Sequence, residues 1–175
     1  MKTTLNIMIT LALSLLCVGC LGRLFSEGMG EVRGASGKVV ETGMTPDLTK
    51  YKSLRIESIT IASGSQTPAE MPYMIQADLK AVAEKRGLTP EGQPGLRLSG
   101  VITQYETSST IDKAMGPLSE VIVQAKLTDT QSGNVVAEAN LIGRSKASSS
   151  SNVKDLSAGV GKALGQWLDA GGLRE

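Results

Sequence analysis

Two runs of alternating residues on either side of a short turn constrain this chain more than anything else in it. Between Val121 and Asp129, the residues Val121, Val123, Ala125 and Leu127 share one side, while Gln124, Lys126 and Thr128 share the other. Val135 to Arg144 follows after Asp129-Thr130-Gln131-Ser132-Gly133-Asn134, a run of turn formers. The pattern predicts a β-hairpin with one buried face, and Gly133 suits the positive-φ position of its turn because it has no Cβ to clash.

The segments around the hairpin extend the sheet and cover it. Leu96 to Thr107 alternates, with Leu98 and Ile102 opposite Arg97, Ser99 and Thr103. Leu54 to Ile61 is β-branched, and its phase change between Ile56 and Ile59 implies a bulge or burial on both faces, which would make the strand central. Met71, Ile75, Leu79, Val82 and Ala83 fall at helical spacing up to Gly87. Thr67 and Glu70 suggest a capping box there, but Pro72 one turn in moves the expected helix start to Met71. Val153, Leu156, Val160, Leu164, Trp167 and Leu168 form the stripe of a last helix that ends at Gly171-Gly172, and Trp167 reads as core. Gly159, Gly161 and Gly165 inside it each cost about 1 kcal/mol relative to Ala. That cost implies close packing, with the sheet as the expected neighbour and a helix of another copy as the alternative. The expected fold is an α/β (α+β) two-layer sandwich over residues 47–170. Its sheet is mixed or antiparallel with four to five strands, two helices lie on one face, and the order is β-α-β-β-β-α.

The amino terminus carries a different message. Lys2, the apolar run Leu5 to Val18 and Gly19 have the layout of a secretory signal over residues 1–19. The run is interrupted by Asn6, Thr10 and Ser14 and falls short of the roughly 20 apolar residues a spanning helix needs. Val18-Gly19-Cys20 resembles the lipobox of bacterial lipoproteins, with Cys17 standing where that family usually has Leu. The resemblance implies that Cys20 receives diacylglycerol, and Leu21-Gly22, in place of the Asp that retains such proteins in the inner membrane, implies the outer membrane facing the periplasm. Residues 20–46, with Gly22, Gly28, Gly30, Gly34, Gly37 and Gly43, read as a lipidated flexible tether in which Lys38 to Glu41 could add an edge strand. Residues 171–175 read as a tail.

Removing residues 1–19 takes away one lysine and leaves 17 basic against 17 acidic residues. A neutral chain argues against nucleic-acid binding, which concentrates Lys and Arg on one face, and leaves the lipid as the membrane grip. The chain has no histidine, and its two cysteines both lie in the signal region, so histidine general bases, cysteine nucleophiles and thiolate metal sites are excluded from the domain. No cofactor is implied. Gly37-Lys38 lacks the earlier glycine and the hydroxyl residue of a phosphate loop, and Gly28-Met29-Gly30 is followed by Arg33 where a dinucleotide fingerprint needs glycine. Glu57, Asp78, Glu106, Asp112 and Asp129 are dispersed and read as solvated charges. Ser145-Lys146 and Ser151 near Lys154 lack the motifs that accompany a serine-lysine dyad. Ser151 or Asn152 reads instead as the cap of the last helix. The loop Ser108 to Ser119, with Thr110, Asp112, Met115, Gly116 and Pro117, is the candidate partner contact.

Three segments carry a further resemblance: Gly95-Leu96-Arg97-Leu98-Ser99-Gly100-Val101-Ile102-Thr103-Gln104-Tyr105, the hairpin Leu127 to Gly133, and Ala163-Leu164-Gly165-Gln166-Trp167-Leu168. Together they resemble bacterial envelope lipoproteins of unassigned function whose small α/β domain is similar to the amino-terminal domain of TolB. The resemblance implies a non-enzymatic binding or assembly module that works on other envelope proteins from a membrane anchor at Cys20. A periplasmic carrier or sensor of a small apolar ligand is the alternative, and an enzyme of unidentified type is a third.

Overall fold

The computed structural model describes residues 34–43, 46–107, 119–145 and 152–173. Strands β3 (Gly95–Glu106), β4 (Ser119–Asp129) and β5 (Val135–Ser145) form an antiparallel meander, as the alternation predicts. The β4–β5 turn closes with Gly133 at a φ of +72° and its amide on the Asp129 carbonyl at 2.9 Å. Strand β2 (Ser53–Ile61) runs parallel to β3, the two joined through helix α1 (Met71–Lys85). Strand β1 (Ala35–Glu41) pairs antiparallel with β5, which gives the sheet order β1-β5-β4-β3-β2. Helix α2 (Asn152–Ala170) packs with α1 on one face, completing the two-layer mixed sandwich.

Three expectations need correction. The tether assigned to residues 20–46 gives way to the sheet well before its end. Residues 35–41, not 38–41 alone, form β1, so the folded unit begins at Gly34 rather than at residue 47. Composition hides this strand because its glycine, Gly37, serves contact with a helix rather than flexibility. Second, β2 is an edge strand, not a central one. Its phase change is a bulge: the register with β3 shifts between Ile56 and Ile59, so both isoleucines turn to the helices and are 7% exposed. Third, the tail assigned to residues 171–175 is partly structural, since Leu48 donates its amide to the Gly171 carbonyl at 2.8 Å and Leu173 packs against the core.

Helix α1 starts at Met71 as Pro72 requires, with Glu70 at the cap position and no side-chain cap. Both helices end in a Schellman motif. In α1 the Leu88 amide reaches Ala83 O and the Gly87 amide reaches Glu84 O; in α2 Leu173 reaches Leu168 O and Gly172 reaches Asp169 O. The apolar residues just beyond, Leu88 and Leu173, fold back on the core, which fixes where each chain leaves its helix.

Helix α2 lies on the sheet with no side chain between the two backbones. A Cβ on Gly37 of β1 would sit 2.6 Å from Ala163 N, one on Gly143 of β5 would sit 2.9 Å from Val160 N, and one on Gly159 would sit 2.8 Å from the Gly143 Cα. Gly161 and Gly165 have another neighbour, the same chain's α1: their nearest approaches are Asp78 Cβ at 3.4 Å and Arg86 Nη2 at 3.1 Å. A Ser157–Asp78 hydrogen bond and an Arg86–Asp169 ion pair at 2.9 Å tie the two helices together. Leu156, Val160, Leu164, Trp167 and Leu168 fill the space over Val121, Val123, Ala125 and Leu127, all fully buried. Gly143→Ala is expected to cost about 1–3 kcal/mol by overpacking, whereas Gly161→Ala should be neutral or stabilise by up to about 1 kcal/mol through helix propensity. Urea unfolding of the two variants beside the parent checks the contrast.

Candidate functional site

Cys20 and the signal around it lie outside the described residues, and so do residues 108–118 of the candidate loop, with Asp112 and Met115, and residues 146–151 of the serine-rich segment. Ser119 opens β4 and is buried. Ser145 closes β5 and sets its hydroxyl on Asp155 at 3.2 Å. The remaining carboxylates stay dispersed, each with a local partner. Glu57 faces Arg97 at 3.6 Å, Asp78 accepts from Ser157, Glu106 accepts from Gln104 at 2.8 Å, and Asp129 organises the hairpin turn. Among the described residues, no helix is long and apolar enough to cross a membrane, and no three His, Cys, Asp or Glu side chains converge to hold a metal ion.

The side chains that leave the core gather on the other face of the sheet, which no described helix covers. One row crosses all five strands in register: Val40 opposite Asn140, Asn140 opposite Gln124, Gln124 opposite Val101, and Val101 opposite Thr60. The neighbouring row places Lys38, Ile142, Ile122 and Gln104 side by side. Val40 is 40% and Val101 37% exposed, so apolar side chains stand within a polar field. Cross-strand ion pairs Lys126–Glu138 at 2.9 Å and Arg144–Glu120 frame it. The exposed Lys126–Glu138 pair contributes little stability, about 0–1 kcal/mol, but both pairs fix the charge pattern that a partner meets.

The two outer edges of the sheet are partly capped. On β1, Lys162 Nζ donates to Ala35 O at 2.6 Å and Gln166 Nε2 donates to Gly37 O at 3.2 Å, both from α2. On β2, the Leu54 amide bonds Thr89 O at 2.9 Å, and Gln76 Nε2 caps Glu57 O at the bulge at 2.8 Å. Sequence periodicity gave no signal for these caps, because each joins residues far apart in the chain.

Tyr51 and Asp129 form the most perturbed pair. The Asp129 carboxylate accepts the Ser132 amide at 2.9 Å, the buried Tyr51 hydroxyl at 2.8 Å and the Gln131 amide at 2.8 Å. These donors stabilise the anion and hold its pKa down at about 2. Burial, then the bond to Asp129, pushes the Tyr51 phenol up to about 12. The pair locks the hairpin turn to the segment that enters β2 and is structural. Its signal in the sequence is an Asp followed at two and three positions by turn amides.

Neither a protein-family model nor a curated protein matches the chain. The fold is similar to that of the PelC dodecamer from Paraburkholderia phytofirmans, with a TM-score of 0.53 and 18% identity over 76% of this chain and 97% of that one. Lower scores are found for a protein described as a lipoprotein from Caulobacter crescentus and for a DUF330 protein from Xanthomonas campestris. The first has a TM-score of 0.42 and 13% identity over 71% of this chain and 91% of that chain. For the second the TM-score is 0.43 and the identity 17%, over 74% of this chain and 92% of that chain. At such identities the likeness is one of fold.

The Tyr51–Asp129 bond sets two pH limits. Asp129 is depressed from 3.8 to about 2, so its contribution is present above pH 4 and is lost as pH falls toward 2. Tyr51 is raised from 10.0 to about 12, so its contribution is present below pH 10 and is lost as pH rises to 12. In Tm measured against pH, Tyr51→Phe should flatten most of the alkaline fall and make the acid fall smaller and complete at a higher pH, because Asp129 loses a donor. Tyr105, also raised chiefly by burial, keeps a residual alkaline slope.

Proposed function

We propose that this chain is a bacterial envelope lipoprotein, anchored in the outer membrane by acyl chains on Cys20, whose domain binds and assembles envelope proteins from the periplasmic side and performs no chemistry of its own. The observation that carries this reading is the open sheet face. It presents Val40 and Val101, with Ile122 half-buried between them, beside two cross-strand charge pairs, while the other face carries the helices and each edge is partly capped by the domain itself. Mixed polar and apolar composition of this kind suits a contact between proteins that also exist apart.

The lipobox resemblance at Cys20 supplies the anchor. Two or three acyl chains hold stably where one holds marginally, at about 0.8 kcal/mol per buried CH₂. The fold likeness supplies a precedent for assembly, since PelC forms a dodecamer. The carrier reading finds less support: between sheet and helices the volume is filled by Trp167, Leu164, Ile75, Leu79 and Met71, all fully buried.

Replacing Cys20 by Ser should move the protein from the outer-membrane fraction to the soluble periplasm. A protein retained as strongly as the parent would overturn the anchor. Photo-crosslinkers placed at Val40 or Val101 on the open face should give discrete adducts in intact cells. One at Tyr73, 75% exposed on the helix side, should give none. Equal yields from the two sides would remove the open face as the contact surface.

A further inference from the structure

Arg55 on β2 and Arg97 on β3 are register partners on adjacent parallel strands. Their chain neighbours Leu54, Ile56, Leu96 and Leu98 are buried toward the helices, which turns both arginines to the open face. Strands in a sheet lie about 4.8 Å apart, so two guanidinium groups start side by side, and like charges directly opposite one another oppose strand pairing. Little in the protein answers them. Among the described residues, the only ion pair either arginine makes is that of Arg97 with Glu57, at 3.6 Å. Arg55 Nε reaches the Pro90 carbonyl at 3.4 Å, and Arg97 Nε is shut off from solvent with no acceptor.

The two arginines line a cleft of about 430 Å³ together with Ser53, Pro90, Glu91, Gly92, Gln93 and Thr130. Its rim is braced by four hydrogen bonds. Ser53 Oγ donates to Gly92 O at 2.8 Å, Lys52 N to Pro94 O at 2.9 Å, Thr130 Oγ1 to Gly95 O at 3.1 Å and Gln131 Nε2 to Gln93 Oε1 at 2.6 Å. The Ser53 and Thr130 hydroxyls are therefore spent on backbone carbonyls, and the cationic donors among the lining residues are the two guanidinium groups. Glu91 is the one carboxylate among them, and Glu57 reaches Arg97 from outside the lining, so among the described residues Arg55 is the guanidinium without a carboxylate in ion-pair contact.

We propose that this cleft binds a phosphate group, as inorganic phosphate or a phosphate monoester, between Arg55 and Arg97. A guanidinium fork takes two acceptor oxygens. A carboxylate is used up by one such fork, whereas phosphate has enough terminal oxygens to serve both and carries the charge to offset both. Filling the cleft removes the repulsion between the strands. The donor is either a lipid head group of the membrane or a soluble phosphate compound, and the site stands independently of the anchor at Cys20.

The test uses the Cys20→Ser chain, titrated with sodium phosphate against sodium chloride of matched ionic strength, by calorimetry and by backbone amide shifts. The parent should bind phosphate with a dissociation constant near or below about 1 mM, and Arg55→Gln and Arg97→Gln should each weaken it at least about tenfold. Lys154→Gln, on α2 across the sheet, should leave it unchanged. In phosphate-free buffer Arg55→Gln should keep or raise Tm while the Tm gain from phosphate disappears; an arginine needed only for folding would lower Tm instead. Co-flotation with phosphatidate vesicles that the arginine variants lose, and that phosphatidylcholine vesicles do not give, assigns a lipid head group. Phosphate binding without flotation assigns a soluble compound. Equal effects of phosphate and chloride on the parent, or unchanged phosphate affinity in both variants, would overturn the site.

Discussion

The contact between the backbone of α2 and the backbones of β1 and β5 governs the rest of the molecule. Gly37, Gly143 and Gly159 remove every side chain from that line, so helix and sheet meet closer than packed side chains allow. Three glycines lower the local propensity of both elements, and the fold recovers the loss in non-local packing. Once α2 is seated, Trp167 and Leu164 are pressed into the core, and Lys162 and Gln166 come within reach of the outer carbonyls of β1. Helix α1 in turn rests against the Gly161 and Gly165 side of α2, held there by Asp78 and Arg86. One close approach thus determines the helix layer and one protected edge.

What the sequence shows and what it hides divide along the range of the interactions. The β4–β5 hairpin, the Gly133 turn, the start of α1 at Met71 and the stripe of α2 are all readable, because period and turn chemistry are local. The bulge between Ile56 and Ile59 is readable as a phase change, but the place of β2 at the edge is not, since strand order follows from which neighbours pair. The strand at 35–41 is hidden because Gly37 has the composition of a linker and the role of a contact. The glycines of α2 signal close packing, yet their division between sheet and α1 emerges only when both layers are present.

The candidate sites follow the same division. Cys20 stands out because its resemblance to a lipobox rests on contiguous residues. Arg55 and Arg97, 42 positions apart, look like ordinary polar positions of two alternating strands, and only the parallel register sets them side by side. Tyr51 and Asp129 are likewise distant in sequence and adjacent in space. In a chain without histidine, such pairings carry what chemical individuality the domain has.

The capped edges acquire weight from the surface on which such a protein would live. Tethering to a membrane confines neighbours to two dimensions and raises their effective concentration, so that weak encounters become frequent. An open strand edge under those conditions is a template for sheet-to-sheet zipping between neighbours. Lys162 and Gln166 on one side, and Thr89 and Gln76 on the other, take up some of the outward backbone groups that such zipping would use. Crowding would then favour contacts through side chains, which form and dissolve reversibly, over contacts through backbone, which do not.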